Sequence, residues 1–307
     1  ITSIIMSNKK IQIFSPATLA NLGPGFDSIG LALDIWNIFE FEFDTENFNI
    51  QIQGEGEKTL PKNNSNLVFK SFALPFDFLN INIPKISLNI KNKINLESGM
   101  GSSSSAISAG LVAANYYLSD KFTQTELIRM SRSLESHYDN IAPCILGGIQ
   151  LCVSNNDDIL FSDIEYDQNL KIILTVPDLK TNTEHSRLNL PKNLSVKDFV
   201  HNMSRFGLLI NSLKSPNIKY TQIAFRDAFH QDIRLNNFPK LKLLLNKINE
   251  MGALGSFVCG SGPTIAGITN EDPMSIFYEI ADYCDKQAIE CSFNITKISK
   301  KGTYIKE

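Results

Sequence analysis

One run of small residues constrains this chain more than any other feature. Leu96-Glu97-Ser98-Gly99-Met100-Gly101-Ser102-Ser103-Ser104-Ser105 leads into Ala106-Ile107-Ser108-Ala109-Gly110-Leu111-Val112-Ala113-Ala114. The first part has to turn, and the Ala-rich second part predicts a helix. Gly99 and Gly101 can take a left-handed backbone and let a ligand approach the main chain. Serines make good N-caps and add hydroxyl donors. Free N–H groups at a helix start, with the positive end of the macrodipole, form an anion site. A nucleotide phosphate is the natural anion for such a loop. No Lys follows the glycines, so this is not G-x-x-x-x-G-K-[ST], and it is not G-x-G-x-x-G either. The competing reading is a flexible Gly/Ser linker in front of a helix.

The 307 residues suffice for two domains or one large one, and for a sizeable core. A formal net charge of −3 argues against nucleic acid as the main partner. No apolar run reaches membrane-spanning length, so no membrane partner is expected. The five cysteines (Cys144, Cys152, Cys259, Cys284, Cys291) show no CxxC or Cys/His spacing. They are expected to be reduced, in a cytoplasmic protein without structural zinc. The start lacks a signal-peptide layout. Met6-Ser7-Asn8-Lys9-Lys10 reads as a natural start, which would make Ile1 to Ile5 a loose leader.

Along the chain, Ile11 to Phe14 predicts a short strand. In Ser15 to Asp27, Pro16, Gly23, Pro24 and Gly25 predict irregular structure. That loop brings Asn21 and Asp27 near each other, as ligands or as ordinary turn caps. Phe39, Phe41 and Phe43 alternate with Glu40, Glu42 and Asp44, a strand with one buried face. Ile50–Gln53 and Lys85–Ile90 read as strands, and Asn66 as the cap of a helix starting at Leu67. Gly147-Gly148 is expected inside an apolar strand ending near Val153. Lys171–Val176 reads as a strand, Thr181–Arg187 as a polar loop, and Val196–Leu213 as a helix. Lys240–Met251 is a helix stopped by Gly252. Gly255 to Thr264 reads as a strand breaking into a second Gly/Ser turn. Ser275–Asp285 reads as a helix and Phe293–Ile298 as a strand. The boundary falls near Leu170, giving an N-terminal ATP-binding domain over 1–170 and a C-terminal domain over 171–307.

These motifs together resemble a known family. Pro16 to Asp27 looks like the first motif of homoserine kinases. Gly99-Met100-Gly101-Ser102-Ser103-Ser104-Ser105 resembles the phosphate loop of the GHMP (galactokinase, homoserine kinase, mevalonate kinase, phosphomevalonate kinase) superfamily, usually G-L-G-S-S-A-A. Gly260-Ser261-Gly262-Pro263-Thr264 is similar to its third motif. His137-Tyr138-Asp139-Asn140-Ile141-Ala142-Pro143, with Leu146-Gly147-Gly148, resembles homoserine kinases rather than their cousins. The likeness runs from about Ile11 to about Ile298.

The resemblance implies an α+β, two-domain GHMP kinase fold. Its N-terminal domain would be ribosomal-protein-like, its C-terminal domain ferredoxin-like, with the nucleotide between them. It implies transfer of the γ-phosphoryl of ATP to the hydroxyl of L-homoserine, giving O-phosphohomoserine in threonine biosynthesis, with Mg²⁺. Such transfer is mostly positioning and charge stabilisation. By resemblance, Asn66, Asn95, Leu96, Glu97, Ser98, Gly99, Met100, Gly101, Ser102, Ser103, Ser104 and Ser105 hold ATP, and Ser103 and Glu135 contact Mg²⁺. Asn21, Asp27, His137, Asn140, Thr183, Arg187 and Arg234 surround the amino acid, with Asn140 the catalytic residue that orients its hydroxyl. Two arginines on one carboxylate make charge-assisted, often bidentate, hydrogen bonds. The resemblance also carries a weak expectation of a homodimer.

The chain departs from the family in places. Cys259 stands where a serine usually precedes G-S-G-P, a change a buried thiol tolerates. The family has a longer insert between the metal-binding glutamate and the histidine, whereas here Glu135 is two residues before His137. Either Glu135 reaches the metal through a tighter turn, or phosphates, Ser103 and water hold Mg²⁺. As a third alternative, Glu135 is a solvated helix-end carboxylate. No residue is assigned as general base; Asp139 is the nearest candidate. His137 could also be a neutral core histidine, while His185, His201 and His230 read as structural or surface. Two rival readings stand, another small-molecule kinase of the superfamily and a non-catalytic ATP-binding sensor of the same fold.

Overall fold

The alternation at 39–44 builds the middle of the larger of two sheets. In the computed structural model, which describes residues 9–155, 158–179 and 183–306, β1 (Lys10–Ala20) pairs antiparallel with β2 (Ile29–Phe43). The register sets Ile11 against Phe41 and Ile13 against Phe39. Beside β2 lies β4 (Ile86–Asn92), which pairs in parallel with β3 (Asn49–Gly54). Phe39, Phe41 and Phe43 are fully buried. Phe41 and Phe43 stack on Phe72 of α1 (Leu67–Leu79), with ring centroids 5.8 and 6.1 Å apart. The Ala-rich run forms α2 (Ser102–Tyr117), and its small side chains let α1 pack on it.

The expected short strand at 11–14 runs on to Ala20. A register shift between Pro16 and Thr18 lets the strand carry its proline, as bulges do. The break comes only at Asn21-Leu22-Gly23, where all three φ values are positive. The Gly147-Gly148 pair lies ahead of its strand rather than inside it. Gly147 ends α4 (Ile141–Leu146), and β5 (Ile149–Asn155) begins after the pair and joins β2 and β6 (Asp158–Asp163). Between α2 and α4 lies α3 (Gln124–Met130), opened by a capping box of Thr123 and Glu126.

The second sheet is antiparallel. It holds β7 (Lys171–Pro177), β8 (Gly255–Val258), β9 (Ile265–Thr269) and β10 (Cys291–Lys297), in the order β10-β7-β9-β8. Between β7 and β8 run α5 (Thr183–Leu188), α6 (Val196–Lys214), α7 (Ile218–Ala224), α8 (Gln231–Arg234) and α9 (Pro239–Glu250); α10 (Met274–Lys286) links β9 to β10. That order, with helical crossovers in those two places, is the ferredoxin-like arrangement. The α+β architecture is as expected. Arg187 sits on the short helix α5 rather than in the expected polar loop, and Arg234 on the short helix α8. The last strand, β11 (Tyr304–Lys306), returns to the first sheet and pairs with β1. A boundary at 170/171 falls between β6 and β7 and leaves β11, which belongs to the first sheet, on its C-terminal side. The Ile1 to Ile5 leader and Thr181 lie outside the described residues. Among the described residues no helix is long and apolar enough to cross a membrane, and all five cysteines are free.

Candidate active site

Three turns, far apart in sequence, meet where the sheets approach each other. Thr18 N donates to Met100 O at 3.1 Å, Thr264 N to Ser98 O at 3.3 Å and Gly260 N to Ala20 O at 3.3 Å. The end of β1, the start of α2 and the turn after β8 are thus pinned together. Two glycines are required for this. A Cβ on Gly101 (φ +67°) would lie 1.9 Å from Thr18 Oγ1, and one on Gly99 (φ +82°) 2.1 Å from Cys259 O. Cys259 itself is fully buried, and burial pushes its thiol pKa up.

Around this junction lies a cavity of about 890 Å³. Its lining takes in Asn66, the loop Asn95, Leu96, Glu97, Ser98, Gly99, Met100 and Gly101, and the first α2 serines, Ser102, Ser103 and Ser104. Gly101 caps α2 without a side-chain hydrogen bond. The first-turn N–H groups therefore have no acceptor within the helix. Ser103 is exposed, whereas Ser104 is buried. Asn66 is committed to structure as well as to the lining. Its Oδ1 accepts from Val68 N at 3.0 Å and its Nδ2 donates to Pro61 O at 2.7 Å, fixing the start of α1. Ser105 departs from expectation: it is fully buried outside the lining and donates to Ser15 O at 3.2 Å. One turn into α2, its side chain points back at β1, so it ties helix to strand.

At the other end, the same cavity takes in Asn21, Asp27, Glu135, His137, Asn140, Arg187 and Arg234. Asn21 Oδ1 accepts from Asp27 N at 3.0 Å, and its Nδ2 donates to Gly260 O at 3.2 Å. The turn-cap and cavity readings of this pair thus hold together. Arg187 donates to both oxygens of Asp27 at 2.8 Å, a bidentate pair. Thr183 opens the helix that carries Arg187, and its side chain lies outside the described residues. Arg234 donates to Gly260 O and to His230 Nδ1, the latter at 3.0 Å. Burial and then the charge of Arg187 hold its guanidinium pKa down, to about 10. His230, read as structural from sequence, supports this arginine directly. Its Nε2 donates to Gly23 O at 2.7 Å, which leaves Nδ1 as the acceptor. Burial holds its pKa down to about 4, so it stays neutral.

Glu135 and His137 face each other despite the shortened segment, with Glu135 Oε1 3.8 Å from His137 Nδ1. Asp27 lies 3.6 Å from Nε2 of the same ring. Glu135 raises the histidine's pKa most, burial opposes it, and Asp27 adds to the rise. His137 is therefore no isolated core histidine. Thr18 Oγ1 donates to Asn140 Oδ1 at 2.8 Å, so the amide's remaining donor is Nδ2. Two further residues stand out, Asp139 in the cavity lining, named from sequence only as the nearest candidate base, and Phe26 beside the arginines. Asp139 is buried, and burial, then Asp27, raises its pKa to about 7. Phe26 carries a guanidinium on its ring from each arginine.

Ser103 and Glu135, a hydroxyl and a carboxylate expected at the metal, both line the cavity. Hard oxygen donors of this kind fit Mg²⁺, which takes its other ligands from phosphates and water. Among the described residues, no group of three or more His, Cys, Asp or Glu gathers as a metal site.

Comparison with known proteins places this geometry. The family description "GHMP kinases N terminal domain" matches residues 66–148, and "GHMP kinases C terminal" matches residues 200–284. Homoserine kinase of Clostridium beijerinckii is 33% identical over 97% of this chain and 99% of its own length. That of Clostridium botulinum is 34% identical over 96% and 98%. Among solved structures, homoserine kinase from Cytophaga hutchinsonii superposes over 100% of both chains at 24% identity, with a TM-score of 0.86. L. major mevalonate kinase in complex with R-mevalonate superposes over 97% of this chain and 99% of its own, at 13% identity and a TM-score of 0.74. These two structures share the fold. With both family descriptions matched and relatives 33–34% identical over nearly their whole length, the chain belongs to the GHMP kinases, ATP-dependent kinases of small molecules.

Proposed function

We propose that this kinase transfers the γ-phosphoryl of ATP to the hydroxyl of L-homoserine, making O-phosphohomoserine for threonine biosynthesis in the cytoplasm. The observation that carries the reading is the charge pattern at one end of the cavity. Two guanidinium groups, Arg187 and Arg234, stand beside the Asp27 carboxylate, with Glu135 and Asp139 in the same lining. A zwitterionic amino acid presents the complement, a carboxylate for the arginines and an ammonium for Asp27. A substrate carboxylate that draws Arg187 from Asp27 leaves Asp27 to the substrate ammonium, and a hydroxy acid without nitrogen offers it no such replacement. The curated relatives at 33–34% identity support the same substrate.

In this reading the ATP phosphates lie on the α2 N-terminus, with the base toward Asn66 and Asn95. Asn140, braced by Thr18, uses Nδ2 to orient the acceptor hydroxyl toward the γ-phosphorus. Holding nucleophile and phosphoryl group in line is most of the catalysis for a loose transition state. Ser103 and Glu135 would hold Mg²⁺, which neutralises charge on the phosphates when bound. Glu135→Gln is expected to raise the Mg²⁺ concentration for half-maximal activity about tenfold, the scale of one charged contact. An unchanged Mg²⁺ requirement would leave the metal to phosphates, Ser103 and water.

A coupled ADP-release assay with homoserine, with mevalonate and with no acceptor tests the proposal. Homoserine-dependent release is expected. Release driven by mevalonate instead would overturn it in favour of the related hydroxy-acid kinases. ATP binding with no release in any arm would overturn it in favour of a nucleotide-binding sensor.

A further inference from the structure

Phe26 lies between the residues of the first motif, yet it belongs to none of the three apolar core clusters of the described residues. It is half-buried, and its neighbours are unusual for a packing residue. The Arg187 guanidinium carbon lies 5.0 Å from its ring centroid, and that of Arg234 lies 5.3 Å away. Phe229 meets the ring edge-on, 4.8 Å between centroids at 86°. His230, which accepts the Arg234 hydrogen bond, lies 5.3 Å away. The ring thus meets Phe229 edge-on and lies within cation–π distance of two guanidinium groups.

Two guanidinium groups held this close repel each other. An aromatic face carries negative potential and attracts a cation within about 6 Å. A ring in contact with both offsets part of the repulsion and limits where each can settle. We propose that Phe26 is a positioning residue, whose ring holds Arg187 and Arg234 side by side so that both meet one substrate carboxylate. The inference rests on the amino-acid reading above, and it adds a residue to it. It also accounts for the close join of Phe26 to Asp27. Asp27 has a left-handed backbone (φ 57°), and its N–H is held by Asn21. One fixed turn therefore presents the carboxylate and the ring together.

Phe26→Leu removes the ring, and Phe26→Tyr keeps it. In the Leu variant, KM for homoserine is expected to rise about tenfold, the combined scale of two cation–ring contacts. KM for ATP and kcat should move far less. Tyr should restore most of the lost affinity. Thermal melting of both variants separates this from misfolding, since a packing role would lower Tm and raise both KM values together. A second readout does not depend on the substrate. In the ligand-free protein, arginine side-chain NMR should show ring-current-shifted signals for Arg187 and Arg234 that vanish in Phe26→Leu and persist in Phe26→Tyr. An unchanged homoserine KM in a folded Leu variant, or equal losses in Leu and Tyr, would overturn the proposal. If the wild type does not use homoserine at all, the substrate reading fails. The NMR comparison then still decides whether Phe26 fixes the arginines.

Discussion

Arg187→Leu and Arg234→Leu are each expected to raise KM for homoserine roughly 10- to 150-fold, with little change in KM for ATP. That range is the loss of one hydrogen-bonded charge contact, about 1.5–3 kcal/mol. Arg suits the task because its planar fork pairs two oxygens at once. The double variant should lose less than the sum, because both groups act on one carboxylate. The structure adds a distinction between them. Arg187 is bonded to Asp27 in the ligand-free protein, so its removal leaves that carboxylate without its bidentate partner and should lower Tm. Arg234 is a desolvated cation beside another cation, with its pKa held down to about 10, so its loss should not lower Tm in the same way. Steady-state kinetics with each substrate varied, together with melting curves, check all of this. A rise in KM for ATP equal to that for homoserine would count against a carboxylate clamp.

Asp139 gives the second large effect, on stability. Burial first, and the charge of Asp27 second, raise its pKa from 3.8 to about 7, against the pull of His137 and Arg187. The folded protein therefore favours the protonated carboxyl. Its contribution is fully present below the unfolded value and is lost as pH rises through the folded one. Across that window the ligand-free wild type should lose up to about 4 kcal/mol from this group. Asp139→Asn carries no such titration. Relative to wild type it should gain stability as pH rises from about 4 to about 8. Urea unfolding of both proteins at several pH values gives the comparison. Parallel stability–pH curves would show that Asp139 is solvated rather than held in the desolvated setting described above.

Much of this was legible in the chain, for physical reasons that differ from residue to residue. The alternation at 39–44 and the Ala-rich run after Gly101 gave the central strand and the helix that opens on the cavity because periodicity and propensity agreed there. Asn66 was readable as a cap because a cap is a local event. Pro16 misled: a proline usually ends a strand, but β1 passes it at a bulge, which depends on the partner strand. Arg187 was placed in a loop because its segment is short and polar. The helices that carry Arg187 and Arg234 have six and four residues, too short for a sequence period to announce them. His230 and Phe26 were missed because their importance lies in Arg234 and Arg187, which are brought to them only by the fold. Asp139 was visible as an acid beside Asn140, but its burial was not.

The central claim is that the cavity recognises an amino acid through its carboxylate and ammonium. The most direct test compares homoserine with its decarboxylated analogue, 3-aminopropan-1-ol, as phosphoryl acceptor. Both carry the hydroxyl and the ammonium, and only homoserine carries the group the two arginines would hold. Wild-type kcat/KM should favour homoserine by about 100-fold or more, the scale on which a site built for a charged group rejects an analogue lacking it. Arg187→Leu should erase most of that preference. Equal use of the two alcohols by the wild type would contradict the clamp, and the amino-acid assignment with it.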